Sequence, residues 1–167
     1  MKQQLKFIIH KNIFKKEFLN KFKNQKILFV CISNILRNDD GIGEYIYNNI
    51  SKIPNIMVVN AGVCPENYVS KIRKSKTDVI IFIDSIILDL NPGEINLLDE
   101  GEIKSYTAST HSISLEMIID QIKRNKKFTI YLIGIQPEDV SVGTTISKKV
   151  SSSADKLINI ISYHYSC

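Results

Sequence analysis

Two adjacent carboxylates, Asp39 and Asp40, stand where an apolar run ends and an apolar-periodic segment begins. The run, residues 26–32, predicts a buried strand, and residues 41–52 predict a helix. In α/β proteins, ligands bind at the edge of the sheet where strands end and helices begin. Carboxylates at that edge could bind a metal ion or transfer protons.

Two further side chains could join them. Asp84 ends the predicted strand 78–84, and His111 directly precedes the predicted helix 112–125. If the first strand lies between the second and the third, Asp40 and Asp84 face the crevice where the winding direction reverses, and His111 can reach the same edge. Two carboxylates and one imidazole suit nickel, manganese, iron or zinc, and the sequence alone does not choose among them.

Each of these residues also has a structural interpretation. Asp39 is a good helix N-cap, and a lost cap costs about 1 kcal/mol. Asp84 could pair with a lysine at the end of its strand, and His111 could be an ordinary polar residue near a helix N-terminus. Common catalytic motifs are absent, including Gly-x-Ser-x-Gly and His-Glu-x-x-His. A nucleotide-binding fold is disfavoured because Cys31-Ile32-Ser33-Asn34 follows the first strand in place of glycines.

The elements that must position these residues alternate along the chain. Apolar runs without alternation, such as Val79–Ile83, are typical of parallel strands covered on both faces. The pattern predicts a three-layer α/β/α fold with a mostly parallel sheet. The predicted strands are 26–32, 56–60, 78–84, 93–98 and 128–134, and the predicted helices are 41–52, 65–75, 112–125 and 147–163.

Residues 1–25 form a basic extension to a domain that spans residues 26–167. The extension carries seven lysines and one acid, so the domain is nearly neutral although the chain has a net charge of +5. Phenylalanines at positions 14, 18 and 22 predict an amphipathic helix over residues 12–23. We interpret it as docked on the domain, in preference to a membrane or RNA contact, and we expect no nucleic-acid partner.

The cellular setting follows from what the sequence lacks. No apolar run approaches the length of about 20 residues that a membrane span needs. The three cysteines form no Cys-x-x-Cys pair, which favours reduced thiols and a cytoplasmic protein without a membrane span.

Six segments, in order, resemble those of the hydrogenase maturation protease family. The Pro-Glu-Asn, Asn-Pro-Gly-Glu-Ile and Gly-Ile-Gln-Pro segments are most similar to the formate-hydrogenlyase-type subgroup. The six segments are residues 34–43, 61–67, 81–84, 91–95, 109–115 and 133–137.

The resemblance implies a five-stranded mixed sheet in the order 2-1-3-5-4, with strand four antiparallel. It implies an endopeptidase, aspartic-type by family classification, that removes a C-terminal extension from a NiFe hydrogenase large-subunit precursor after nickel insertion. Asp40, Asp84 and His111 match the family's metal-binding and catalytic residues. The nickel would arrive with the precursor, so the isolated protein, which we expect to be a monomer, would hold no metal tightly.

The chain departs from the family pattern near the site. Cys31 and Ser33 replace two glycines of the usual Gly-x-Gly-Asn segment, and Ser85 replaces an alanine after Asp84. These changes keep open an alternative function, in which the protein binds a hydrogenase subunit without cleaving it.

Overall fold

A single five-stranded sheet organises the computed structural model, which describes residues 13–106 and 115–166. Its order is β2-β1-β3-β5-β4, which confirms the predicted order. Strand β4 is antiparallel to β5, and the other neighbouring pairs are parallel. The strands are β1 Ile27–Ile32, β2 Met57–Gly62, β3 Val79–Ser85, β4 Ile95–Asp99 and β5 Thr129–Ile135.

Helices cover both faces of the sheet, as the three-layer prediction requires. They are α1 Ile13–Lys21, α2 Ile42–Ile50, α3 Val69–Arg73, α4 Glu100–Tyr106, α5 Leu115–Lys123 and α6 Lys148–Ser166. The predicted helix 65–75 is a 3₁₀ turn, Pro65–Tyr68, followed by the short α3. Helix α4 was not predicted. None of the helices in the described ranges is long and apolar enough to cross a membrane.

Side chains along each strand point alternately to the two faces of the sheet, and each face has its own core. In β1, Ile27, Phe29 and Cys31 belong to a core that includes side chains of α1, α2 and α6. Leu28, Val30 and Ile32 belong to a second core with side chains of α3, α4 and α5. Every residue of β1 and β3 is buried, because helices cover both faces of these central strands.

Helix α1 packs on the first of these cores through its phenylalanines. Phe14 and Phe18 of α1, and Phe22 directly after it, are all buried. Phe22 meets Tyr131 edge to face with 5.3 Å between ring centroids, and Phe18 meets His164 at 5.9 Å. The predicted helix is therefore present and docked. We call this cluster the aromatic layer, which comprises Phe14, Phe18, Phe22, Tyr131, His164 and Tyr165.

Candidate active site

The crevice predicted from the sequence lies where the strand order reverses. Strand β1 has β2 on one side and β3 on the other, so the loops that leave β1 and β3 diverge at their carboxyl ends. This is the switch point at which α/β sheets bind ligands.

Asp40 lies in a 3₁₀ turn, Asn38–Gly41, between β1 and α2. The Asn34 N–H donates to the Asp40 carbonyl at 2.8 Å, and the Asp40 N–H donates to the Arg37 carbonyl at 2.9 Å. These bonds fold the loop back over its own end. The turn contacts β3, and the Asp40 side chain is half-buried. Asp40 is therefore held at the crevice with access to solvent.

Gly43 fixes the position of α2 against the end of β1. A Cβ at this residue would lie 1.9 Å from the Ile32 carbonyl oxygen and 3.2 Å from the Ser33 Cβ. Only glycine permits this approach of helix to strand. Because α2 continues directly from the turn that carries Asp40, the close packing at Gly43 also sets the height of Asp40 above the sheet.

Asp84 lies on β3 next to the turn that carries Asp40. It is 5% exposed, and its Oδ1 accepts a hydrogen bond of 2.8 Å from the Ser85 N–H. Its strand partner on the other side is Gly134 of β5, and the Ile86 side chain packs against Gly134, where a Cβ would lie 2.6 Å from Ile86 Cδ1. The turn of Asp40 and the strand of Asp84 are therefore in contact, and Asp84 is more deeply buried than Asp40.

His111 lies outside the described residues, so its predicted place beside the two carboxylates stays a prediction. Within residues 13–106 and 115–166, no group of three histidine, cysteine or acidic side chains is arranged to hold a metal ion. A metal site that uses His111 would therefore include a residue outside the described ranges.

The interpretation of Asp39 as an N-cap of its own helix is wrong. Asp39 is fully buried, and no side-chain bond caps the turn or α2. Its Oδ2 accepts from the N–H groups of Glu138 and Asp139 at 2.8 and 2.9 Å. Its Oδ1 accepts from the Ser147 N–H at 2.6 Å, one residue before α6. Asp39 therefore ties the loop after β1 to the loop after β5.

Further bonds join the same two loops. Asn38 has a positive φ of 42° and donates from its side-chain amide to the Asp139 carboxylate at 2.8 Å. Its Oδ1 accepts from the Thr145 N–H at 3.0 Å. The Gly143 N–H donates to the Leu36 carbonyl at 3.0 Å, and residues 37 and 143 form an isolated parallel bridge. We call residues 34–41 and 136–147, joined in this way, the loop clamp.

Electrostatics within the loop clamp follow from these donors. The Ser141 backbone N–H and hydroxyl, together with the Asn38 amide, hold the pKa of the exposed Asp139 carboxyl below its usual range. Sequence reasoning missed the loop clamp. The only local signal was the Asn-Asp-Asp-Gly composition, which is typical of a turn with a residue at positive φ.

Gln136 holds the loop that follows β3. Its Oε1 accepts from the Leu88 N–H at 2.7 Å and, more weakly, from the Leu90 N–H at 3.4 Å. Its carbonyl accepts from the Gly93 N–H at 2.8 Å. Two of the sequence segments that resemble the family, residues 91–95 and 133–137, are therefore in direct contact beneath the crevice.

The residues that replace the family's glycines lie under the site. The Cys31 side chain is fully buried in the sheet, and burial raises the pKa of its thiol, which keeps it neutral. Cys31 is therefore not a nucleophile. Ser33 is 3% exposed and lies beside Gly43. Both side chains are therefore covered by the surrounding protein.

The fold and the site define an α/β/α protein with paired acids at the switch point of its sheet. The family model for hydrogenase maturation proteases matches residues 41–164, which is more than half of the chain. The chain belongs to the hydrogenase maturation protease family, a family of peptidases. This confirms the family inferred from the sequence segments.

Characterised relatives and solved structures agree with this assignment. The hydrogenase 3 maturation protease of Escherichia coli K12 is 29% identical over 131 residues, which cover 77% of this chain and 83% of that protein. The crystal structure of the NiFe hydrogenase maturation protease HycI from Thermococcus kodakarensis superposes with a TM-score of 0.81 at 27% identity, covering 90% of this chain and 99% of that one. The solution structure of the endopeptidase HycI from Escherichia coli gives a TM-score of 0.74 at 25% identity, covering 83% and 90%.

Proposed function

We propose that this protein is a cytoplasmic endopeptidase that removes the C-terminal extension of a NiFe hydrogenase large-subunit precursor after nickel insertion. The observation that carries the proposal is the placement of Asp40. In a chain of this family, the loop clamp and Gly43 hold its turn against the strand that carries Asp84, at the switch point.

The nickel of the precursor is the recognition element in this proposal. Asp40, Asp84 and His111 offer oxygen and nitrogen donors without a thiolate, a set that suits nickel and that holds metal weakly by itself. A metal that is bound jointly by enzyme and precursor stabilises only the productive complex. Cleavage then becomes a check that nickel has been loaded, and the purified protein should contain little stoichiometric metal.

The two carboxylates are suited to different tasks. Asp84 is 5% exposed and has a backbone donor on its Oδ1, so it is placed to hold a ligand in one orientation. Asp40 is half-buried on a fixed turn and can reach both solvent and a bound peptide. We therefore assign to Asp40 the transfer of a proton from the attacking water, the step that an aspartic-type peptidase requires.

The test is cleavage of purified precursor, read as the mass of the large subunit. Nickel-loaded precursor should be cut, and nickel-free precursor should stay intact. Asp40→Ala, Asp84→Ala and His111→Ala should each abolish cleavage without unfolding the protein. Asp120→Ala removes an exposed acid on α5 and serves as the matched control, with cleavage unchanged.

The same assay distinguishes the proposed peptidase from the alternative, a binding module that does not cleave the precursor. That alternative predicts that the wild-type protein binds nickel-loaded precursor and leaves its mass unchanged. Its sequence basis was the replacement of glycines by Cys31 and Ser33, and both of these side chains are buried. Equal cleavage of nickel-free and nickel-loaded precursor would contradict recognition through nickel and leave the peptidase assignment intact.

A further inference from the structure

Exposed apolar side chains are concentrated around the crevice. Among the described residues, seven large apolar side chains are exposed, and five of them lie on loops that follow β1, β2, β3 or β5. Single exposed apolar residues are ordinary on protein surfaces, but a contiguous group marks an interaction site. The five are Ile35, Leu36, Val63, Ile87 and Val142.

Three of these form one continuous group, which we call the apolar lip: Ile35, Leu36 and Val142. They are 51%, 64% and 90% exposed. The Gly143 N–H donates to the Leu36 carbonyl, which sets the loop tip with Val142 beside Leu36. The lip therefore combines residues from both halves of the loop clamp.

The apolar lip is rigid in spite of its exposure. The backbone around it is held by the carboxylate of Asp39, by the side chain of Asn38 and by the parallel bridge between residues 37 and 143. A rigid apolar surface loses little conformational entropy on binding, so most of the free energy gained by burying it contributes to affinity.

The lip is also continuous with the candidate catalytic residue. The Asn34 N–H donates to the Asp40 carbonyl at 2.8 Å, so residues 35 and 36 form the outer side of the turn whose inner side carries Asp40. Anything that reaches the Asp40 crevice over this side must pass the lip. Because the lip adjoins Asp40 in a chain of a protease family, the substrate protein is the occupant that its position favours.

We propose that the apolar lip is the docking surface for the substrate protein, and that it receives an apolar segment of the hydrogenase large-subunit precursor next to the cleaved bond. This inference rests on the proposed function and extends it by naming a recognition surface formed by this chain. The lip contributes binding that is equal in the ground state and the transition state. Its loss should therefore raise KM and leave kcat unchanged.

The experiment compares Leu36→Ser combined with Val142→Ser against the wild-type protein, with nickel-loaded precursor as substrate. Both side chains are exposed and the lip is held by backbone bonds, so thermal stability should not change. We expect KM to rise about tenfold or more, with kcat within about twofold of wild type. Leu36→Met combined with Val142→Ile should restore wild-type KM, because it keeps the apolar surface.

Tyr163→Ser is the matched control. Tyr163 is 48% exposed and lies near the C-terminal end of α6, remote from the carboxyl edge of the sheet, so its loss should leave KM unchanged.

Failure of the wild-type protein to cleave would refute the proposed function itself. Cleavage by the wild type with an unchanged KM for the double serine variant would overturn only the docking surface. A change in oligomeric state of the variant alone, measured by light scattering, would assign the lip to self-association and would also overturn the proposal.

Discussion

The loop clamp and the aromatic layer lie in different parts of the molecule and are built from opposite kinds of contact. The loop clamp is joined almost entirely by hydrogen bonds to backbone groups, with Asp39 accepting three of them. The aromatic layer is joined by ring contacts between 4.8 and 6.0 Å and by the burial of Phe14 and Phe18 of α1 and of Phe22 directly after it. The hydrogen bonds of the loop clamp depend on the direction of donor and acceptor, whereas the apolar contacts of the aromatic layer do not.

This difference separates positioning from stability. Hydrogen bonds fix distances and angles, so damage to the loop clamp should displace Asp40 even in molecules that remain folded. Apolar burial contributes free energy without fixing a precise geometry elsewhere, so damage to the aromatic layer should lower stability and spare the site. Activity per folded molecule is the measurement that distinguishes the two.

The largest effect is expected from Asp39→Ala. The change removes the charged acceptor of three partly buried backbone N–H groups, and a hydrogen bond to a charged group contributes about 1.5–3 kcal/mol. We expect the free energy of unfolding to fall by about 4 kcal/mol or more, well above the value of about 1 kcal/mol for a lost cap. Activity per folded molecule should also fall, because the loop clamp opens. Urea unfolding and the precursor cleavage assay measure the two effects.

Asp139→Ala is the control for this change, since it removes an exposed acid from the same loop clamp. Its effect on stability should be much smaller than that of Asp39→Ala. Should Asp39→Ala prove no more costly than Asp139→Ala, the assignment of Asp39 as the centre of the loop clamp would be wrong.

Asp39 also shows which contacts could not be predicted from the sequence. Its hydrogen-bond partners are 99, 100 and 108 residues away, so no local pattern could reveal them. Asp40 and Asp84 could be singled out because Asp40 follows, and Asp84 ends, a predicted strand whose two covered faces make it continuously apolar. Helix α4 was missed because it has seven residues and Ile103 is its only side chain described as buried. The antiparallel β4 came from the family resemblance and not from the pattern.

A change in the aromatic layer should have the opposite signature. Phe18 is 1% exposed and lies between Phe14, Phe22 and His164. Phe18→Ala should lower the free energy of unfolding by about 3–4 kcal/mol through lost burial and the cavity left behind. Activity per folded molecule should equal that of the wild type at temperatures where both are folded. A loss of activity beyond the loss of folded protein would show that α1 also supports the site.

Gly43→Ala tests the contact between α2 and β1 and should have an intermediate effect. The added Cβ meets the Ile32 carbonyl oxygen, which is part of a strand and cannot move aside freely. We expect a loss of about 2 kcal/mol from overpacking, together with reduced cleavage as α2 and Asp40 shift.

Gly101→Ala is the matched substitution for Gly43→Ala. Its Cβ would lie 3.4 Å from an Asp99 carboxylate oxygen, an ordinary contact in α4. Because alanine favours helix more than glycine does, stability should stay constant or rise by up to about 1 kcal/mol. Equal losses from both substitutions would refute the special role of the close approach at Gly43.

The smallest effect concerns the pH dependence of the aromatic layer. Burial beside Phe18 and Tyr165 lowers the pKa of His164 from its usual value of 6.5. The unfolded chain therefore binds a proton at this side chain at a higher pH than the folded protein does. The contribution of neutral His164 to the free energy of unfolding is fully present above pH 6.5 and is lost as the pH falls from there through the folded pKa.

Melting temperatures of wild type and His164→Gln between pH 5 and 7.5 should show a steeper fall on acidification for the wild type. The pH profile of cleavage per folded molecule should be the same for both, because His164 lies in the aromatic layer and not in the loop clamp. Parallel melting curves would show that His164 titrates alike in the folded and unfolded chains. A changed cleavage profile would instead connect the aromatic layer to the site and break the separation between the two regions.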